Sequence, residues 1–182
     1  MTEVLVERHM EEPLSDQALA IMSALGRGCL DLHRVNWHRT LLSADRHELV
    51  CHFTAADLES VRMVVKAQGP MRGKVWSCGS RDTPGLSTEE LARANVFASW
   101  SFDEPVALEE LESIDASAAV CLRNHRVRFL RSFVASDRRR VIGLCLAADA
   151  ESVRIALRDA QRPVERVWAF QQFHPLRPTI PR

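Results

Sequence analysis

Tyrosine is absent from the 182 residues, and aromatic residues make up only 6% of them. Without the phenol, one common acid–base and hydroxyl-positioning side chain is missing from any reaction the chain could run. Net charge is missing as well, since 24 basic side chains stand against 24 acidic ones. A balanced chain lacks the basic footprint of a nucleic-acid or anionic-membrane binder, so neither partner is expected. No apolar run approaches the ~20 residues that span a bilayer. There is no CxxC pair, which argues against a thioredoxin-like or zinc-ribbon site. Nor is there a GxGxxG, a Walker loop, a GxSxG or an HExxH. Met1-Thr2-Glu3-Val4 has neither the basic region nor the apolar stretch of a secretory signal, so a cytoplasmic location is expected. Five widely spaced cysteines then read as reduced thiols, mostly buried.

What the sequence does have is an internal correspondence at one fixed offset. Glu12-Pro13 returns as Glu104-Pro105, Cys29-Leu30 as Cys121-Leu122, and His33-Arg34-Val35 as His125-Arg126-Val127. Ala55-Ala56-Asp57 with Glu59-Ser60-Val61-Arg62 returns as Ala147-Ala148-Asp149 with Glu151-Ser152-Val153-Arg154, and Val75-Trp76 as Val167-Trp168. Residues 4–76 and 96–168 are identical at 22 of 73 positions, always 92 apart and without a gap. A duplication accounts for this.

Each half can then be read twice. Val4–Met10 and Val96–Phe102 alternate as strands do. Ser15 suits a helix N-cap, and Leu19, Met22, Gly26, Cys29, Leu30 and His33 form one stripe, copied as Leu111, Ile114, Ala118, Cys121, Leu122 and His125. Hairpins follow around Asp45-Arg46 and Asp137-Arg138. Asp57 and Asp149 cap a second helix in each half, the first stopping near Gly69-Pro70. A last strand carries Trp76 or Trp168. The order β-α-β-β-α-β, met twice, predicts an α+β chain of two tandem ferredoxin-like units packed sheet to sheet as an intrachain pseudo-dimer. Expected limits are 1–79 for the first unit, 80–94 for a linker, 95–173 for the second unit and 174–182 for an irregular tail. Ser87-Thr88-Glu89-Glu90 predicts a short capped helix in the linker.

Five groups of side chains could carry chemistry. RNA-recognition domains share this element order but need aromatics on the central strands, and His47–Phe53 offers one while Arg139–Cys145 offers none. Arg138-Arg139-Arg140 reads as a solvated turn. Cys29 with His33, and Cys121 with His125, stand one helical turn apart and could touch a soft metal, but two ligands fall short of four and packing explains both pairs. Histidines are concentrated in the first half. On the first strand Glu7 and His9 share a face, and His52 on the third strand can point the same way, so Glu7, His9 and His52 form a candidate nickel, zinc or iron set; a hydrogen-bonded polar patch is the competing reading. Arg39 and Arg131, at matching places, could anchor an anionic ligand, with Trp37 lining the same pocket.

Val6-Glu7-Arg8-His9, Cys29-Leu30-x-x-His33-Arg34-Val35-x-Trp37-x-Arg39, Val50-Cys51-x-Phe53-x-Ala55-x-Asp57 and Ala67-Gln68-Gly69 resemble the small nickel-binding domain family. The resemblance implies a ferredoxin-like fold assembling as a dimer, here fused in one chain, with nickel or another divalent metal bound. Where that family carries Ala-His-Gly at the end of its second helix, this chain has Gln68 in the histidine's place, and Glu7-x-His9 is matched in the second half by Ser99-x-Ser101. The expected function is a binding protein for a small ligand or a transition metal, with assembly of the fused pair into a homo-oligomer open. The rival is a cofactor-independent enzyme of the dimeric α+β barrel type, with a histidine base over a pocket between the sheets. A third reading is a purely structural or interaction module.

Overall fold

The computed structural model describes residues 1–67, 73–162 and 164–175. The chain is α+β, and it divides into two compact units. One contains Met1–Ser77 together with the segment from Gln171 on, and the other contains Cys78–Phe170. Among the described residues no helix is long and apolar enough to cross a membrane.

The first unit opens with β1 (Thr2–His9), α1 (Asp16–Leu32), β2 (Asn36–Ser43), β3 (Glu48–Ala55) and α2 (Leu58–Ala67). Strand β3 lies between β1 and β2 and is antiparallel to both. Val4 and Val6 of β1, Cys51, Phe53 and Ala55 of β3, and Val61 and Val64 of α2 form its core. Residues Val4 to Arg8 are all buried, so β1 is covered on both faces and takes a glutamate and an arginine inside with it. Next comes β4 (Gly73–Asp82), which starts in this unit and ends in the other.

The second unit continues with α3 (Thr88–Ala92), β5 (Val96–Ser101), α4 (Leu108–Asn124), β6 (Arg128–Ala135), β7 (Arg140–Leu146) and α5 (Ala150–Asp159). Ser87 and Glu90 close a capping box at the start of α3. Strand β8 (Arg166–Phe173) begins here and ends in the first unit. Inside the second unit the antiparallel order is β8, β5, β7, β6 and then the end of β4. Its core runs through Val96, Ala98 and Trp100 of β5, Leu111, Ala118 and Leu122 of α4, and Val153, Ala156 and Leu157 of α5.

Local chemistry repeats between the units at the 92-residue offset. The N–H of Val35 donates to the Leu30 carbonyl at 2.9 Å and that of Val127 to Leu122 at 2.8 Å. Arg34 and Arg126 stand between them with φ of 52° and 55°. These are helix ends closed by a left-handed residue, arginine where glycine is usual. The hairpin turns do likewise at Arg46 and Arg138, with φ of 65° and 58°. Of the tail expected at 174–182 only 174 and 175 are described, and they are irregular; the remainder, like the Gly69-Pro70 stop, lies outside the described residues.

Candidate functional site

The β1–β3 register places Leu5 opposite His52, Glu7 opposite Val50 and His9 opposite Glu48. Opposed residues share a face, so Glu7, His9 and His52 do lie on the same side of this sheet. They do not meet as a set. His9 sits at the strand end, exposed, with Nδ1 2.8 Å from Glu48 Oε1 and its ring stacked 6.1 Å from that of His47. The His52 position is level with Leu5, four residues and thus ~13 Å away along the strand. There His52 is buried, with Nε2 3.3 Å from Glu3 Oε1 and its ring 4.9 Å from that of His38. Glu7 is buried too, and accepts a hydrogen bond of 2.8 Å from Trp76 Nε1. Among the described residues no group of three or more histidine, cysteine, aspartate or glutamate side chains is placed to hold a metal ion. The candidate donors therefore do not fit nickel as one coordination set. The helix pairs fare no better: His33 and His125 are C-caps, and the His125 ring turns to Asp159 at 2.8 Å.

Trp37 is a packing residue. Its ring lies 5.9 Å from Phe53 and 6.0 Å from Phe173, and its Nε1 donates to Thr40 Oγ1 at 3.1 Å. Arg39 donates from Nη1 to Gln172 Oε1 at 3.2 Å. Beneath them Thr40 Oγ1 donates to the buried Cys51 sulfur at 3.1 Å. Burial pushes the Cys51 thiol up and, acting on the opposite charge type, draws the guanidinium of neighbouring Arg8 down.

Open space is found in the second unit instead. A cleft of about 530 Å³ lies where α4 passes over the end of β4 and the start of β6. Its apolar wall includes Ala119 and Leu122 of α4, Val127, and Phe129 of β6. Phe129 lies flat on the sheet because β7 has Gly143 beneath it, where a Cβ would stand 2.5 Å from Phe129 Cε2 and 3.1 Å from Trp100 Cζ3. Around this wall three carboxylates are each matched by an arginine. Arg81 Nη2 is 2.8 Å from Glu112 Oε1. Arg131 grips Asp82 as a fork, with Nε and Nη2 at 2.5 and 2.8 Å. Arg162 reaches Asp115 at 2.7 Å, and its buried guanidinium lies 4.2 Å over the Trp100 ring. Nearby Cys145 is fully enclosed, and burial pushes its thiol up to about 12, so it stays protonated and unreactive.

The same places in the first unit are occupied differently. Ninety-two residues away from Phe129 stands the larger Trp37, and away from Arg81 stands Phe173; those two rings pack together. Ala20 and Ser23 replace Glu112 and Asp115. Arg131 thus lies beside the cleft through Asp82, whereas Trp37 packs on Phe53 and Phe173, and Arg39 donates to Gln172. A search for histidine and cysteine patterns misses this. The legible signal is the pair of acids Glu112 and Asp115, one helical turn apart on α4 and absent from α1.

Residues 98–169 match the model of the SCO4226-like family, described as nickel responsive protein SCO4226-like. No curated protein matches the chain in sequence. Among solved structures, a candidate chlorite dismutase, TA0507, is similar over 96% of this chain and 95% of its own, with 13% identity and a TM-score of 0.54. A candidate monooxygenase from Lactobacillus acidophilus NCFM is similar over 94% of each chain at 9% identity, with a TM-score of 0.44. The first likeness shows the fold class, α+β with antiparallel strands and helices, and the fold alone.

Proposed function

We propose that the chain is a binding protein for a small organic ligand, held in the second-unit cleft. The observation behind this reading is an apolar space of about 530 Å³ ringed by arginine–carboxylate pairs. That volume falls within the usual range for small-molecule pockets, and apolar walls with a few fixed polar groups are their usual make-up. Among the described residues the cleft lining includes no histidine or cysteine. Acid–base work there would fall to Asp82, Glu112 or Asp115, each already engaged by an arginine, so binding is favoured over the enzyme reading. The test is to close the cleft as the first unit does, with Arg81→Phe and Phe129→Trp together, and separately with Ala119→Trp. Nile red fluorescence should rise on the wild type, and its affinity should fall at least about tenfold in both closed forms. Unchanged affinity in both, with thermal stability retained, would sink the reading.

A nickel-responsive role is the second reading, favoured by the family match over 98–169. Its donors in that segment include the His125–Asp159 pair, with Cys121 one turn earlier on α4. In the first unit they are the separate pairs of His9 and His52. Calorimetric titration of the wild type and His9→Ala with nickel decides the matter, and equal, negligible heats for both would end the metal reading.

A further inference from the structure

The charge around the cleft is not balanced once its pairs are counted. Three lining carboxylates, Asp82, Glu112 and Asp115, are each held by a guanidinium, from Arg131, Arg81 and Arg162 respectively. Arg81 lines the cleft as well, and a fifth lining charge, Arg128, is gripped in a fork by Glu90 of α3. One lining charge is left over. Arg123, in the last turn of α4, has no ion-pair partner among the described residues. A cationic ligand would compete with Arg131, Arg81 or Arg162 for a carboxylate already in use, and taking Asp115 would strand the buried Arg162 guanidinium. An anionic ligand meets Arg123 without breaking anything. The apolar wall beneath, Leu122, Val127 and Phe129, asks for a hydrocarbon or aromatic body. Room for it is ample at about 530 Å³, within the usual range of small-molecule pockets. The arrangement is particular to this unit: the residue 92 positions before Arg123 is Asp31, of opposite sign.

Resting on the reading that this cleft holds a small ligand, we infer that the ligand is an amphipathic monoanion, its apolar body on Leu122, Val127 and Phe129 and its acid group against Arg123. Arg123 is exposed, so its pair with the ligand is screened by water and gives selectivity more than raw affinity.

The experiment compares three ten-carbon probes on the full chain by calorimetry: decanoate, decanol and decyltrimethylammonium. Decanoate should bind about five- to tenfold more tightly than decanol, with the cation weakest. Arg123→Gln should bring decanoate down to the level of decanol and leave decanol unchanged. Arg123→Lys, which keeps the charge, should restore most of the preference. If decanol and decanoate bind equally to the wild type, and Ala119→Trp abolishes both, the cleft is a ligand site but the monoanion assignment is wrong. If decanoate keeps its preference in Arg123→Gln, the assignment is likewise overturned. If no probe binds the wild type, the cleft reading falls and this one with it.

Discussion

At the scale of single residues, the difference between the two units comes down to what stands at a few matched positions. Gly143 is the clearest case. Its missing Cβ is what lets Phe129 and Trp100 lie against β7, while the first unit carries Cys51 at that place with Arg8 where the second has Trp100. Gly143→Ala should therefore force the Phe129 ring off the sheet, toward the cleft it lines. Overpacking of this kind costs about 1–3 kcal/mol. Denaturant unfolding should show that loss, and no change in midpoint would mean that the ring moves without strain. The Arg162–Asp115 pair belongs to the same scale. Removing Asp115 leaves the buried Arg162 guanidinium uncompensated, so the pair is better evidence for a defined cleft wall than for stability.

At the scale of elements, the second helix of each half begins at an aspartate. Asp57 accepts from the Ser60 N–H at 2.8 Å and Asp149 from the Ser152 N–H at 2.7 Å. Those backbone hydrogen bonds, with the serine hydroxyls next, hold both carboxyls below their ordinary value of 3.8. A carboxyl lowered in the folded state favours folding above its unfolded value. That contribution is lost as pH falls through the lower, folded value. Asp149→Asn retains an N-cap acceptor at every pH, so its stability should decline less steeply than the wild type's below about pH 4. Circular dichroism of both proteins along an acid titration checks this; superimposable acid limbs would show that the ionised cap contributes nothing.

At the scale of the whole molecule, β4 and β8 each start in one unit and finish in the other. The first unit thus draws on both ends of the chain. Phe173 packs with Trp37 and against the cluster of Leu14, Leu19, Leu42 and Leu49, and Gln172 receives Arg39. Phe173→Ala should cost about 2 kcal/mol, less than a fully buried phenylalanine because this one is only partly covered. Trp37 emission should shift to the red as its ring gains water. A stability change within error of zero would show that the first unit does not depend on the end of β8.

Much of the architecture could be read from the chain because it is written in short-range chemistry. Ser15, Ser87, Asp57 and Asp149 announce helix starts through bonds reaching only three residues onward. Strand alternation and the 92-residue correspondence are likewise one-dimensional, and the adjacency of β1 and β3 followed from element order. The candidate site was not legible in this way. Glu7, His9 and His52 share the face expected of them, yet each is claimed by a different neighbour, Trp76, Glu48 or Glu3, chosen by register and reach. Only tertiary packing decided that Trp37 and Phe173 pack ring to ring in one unit while Phe129 and Arg81 line a cleft in the other. A void is the remainder after many side-chain volumes from distant segments are summed, and no local pattern records that remainder.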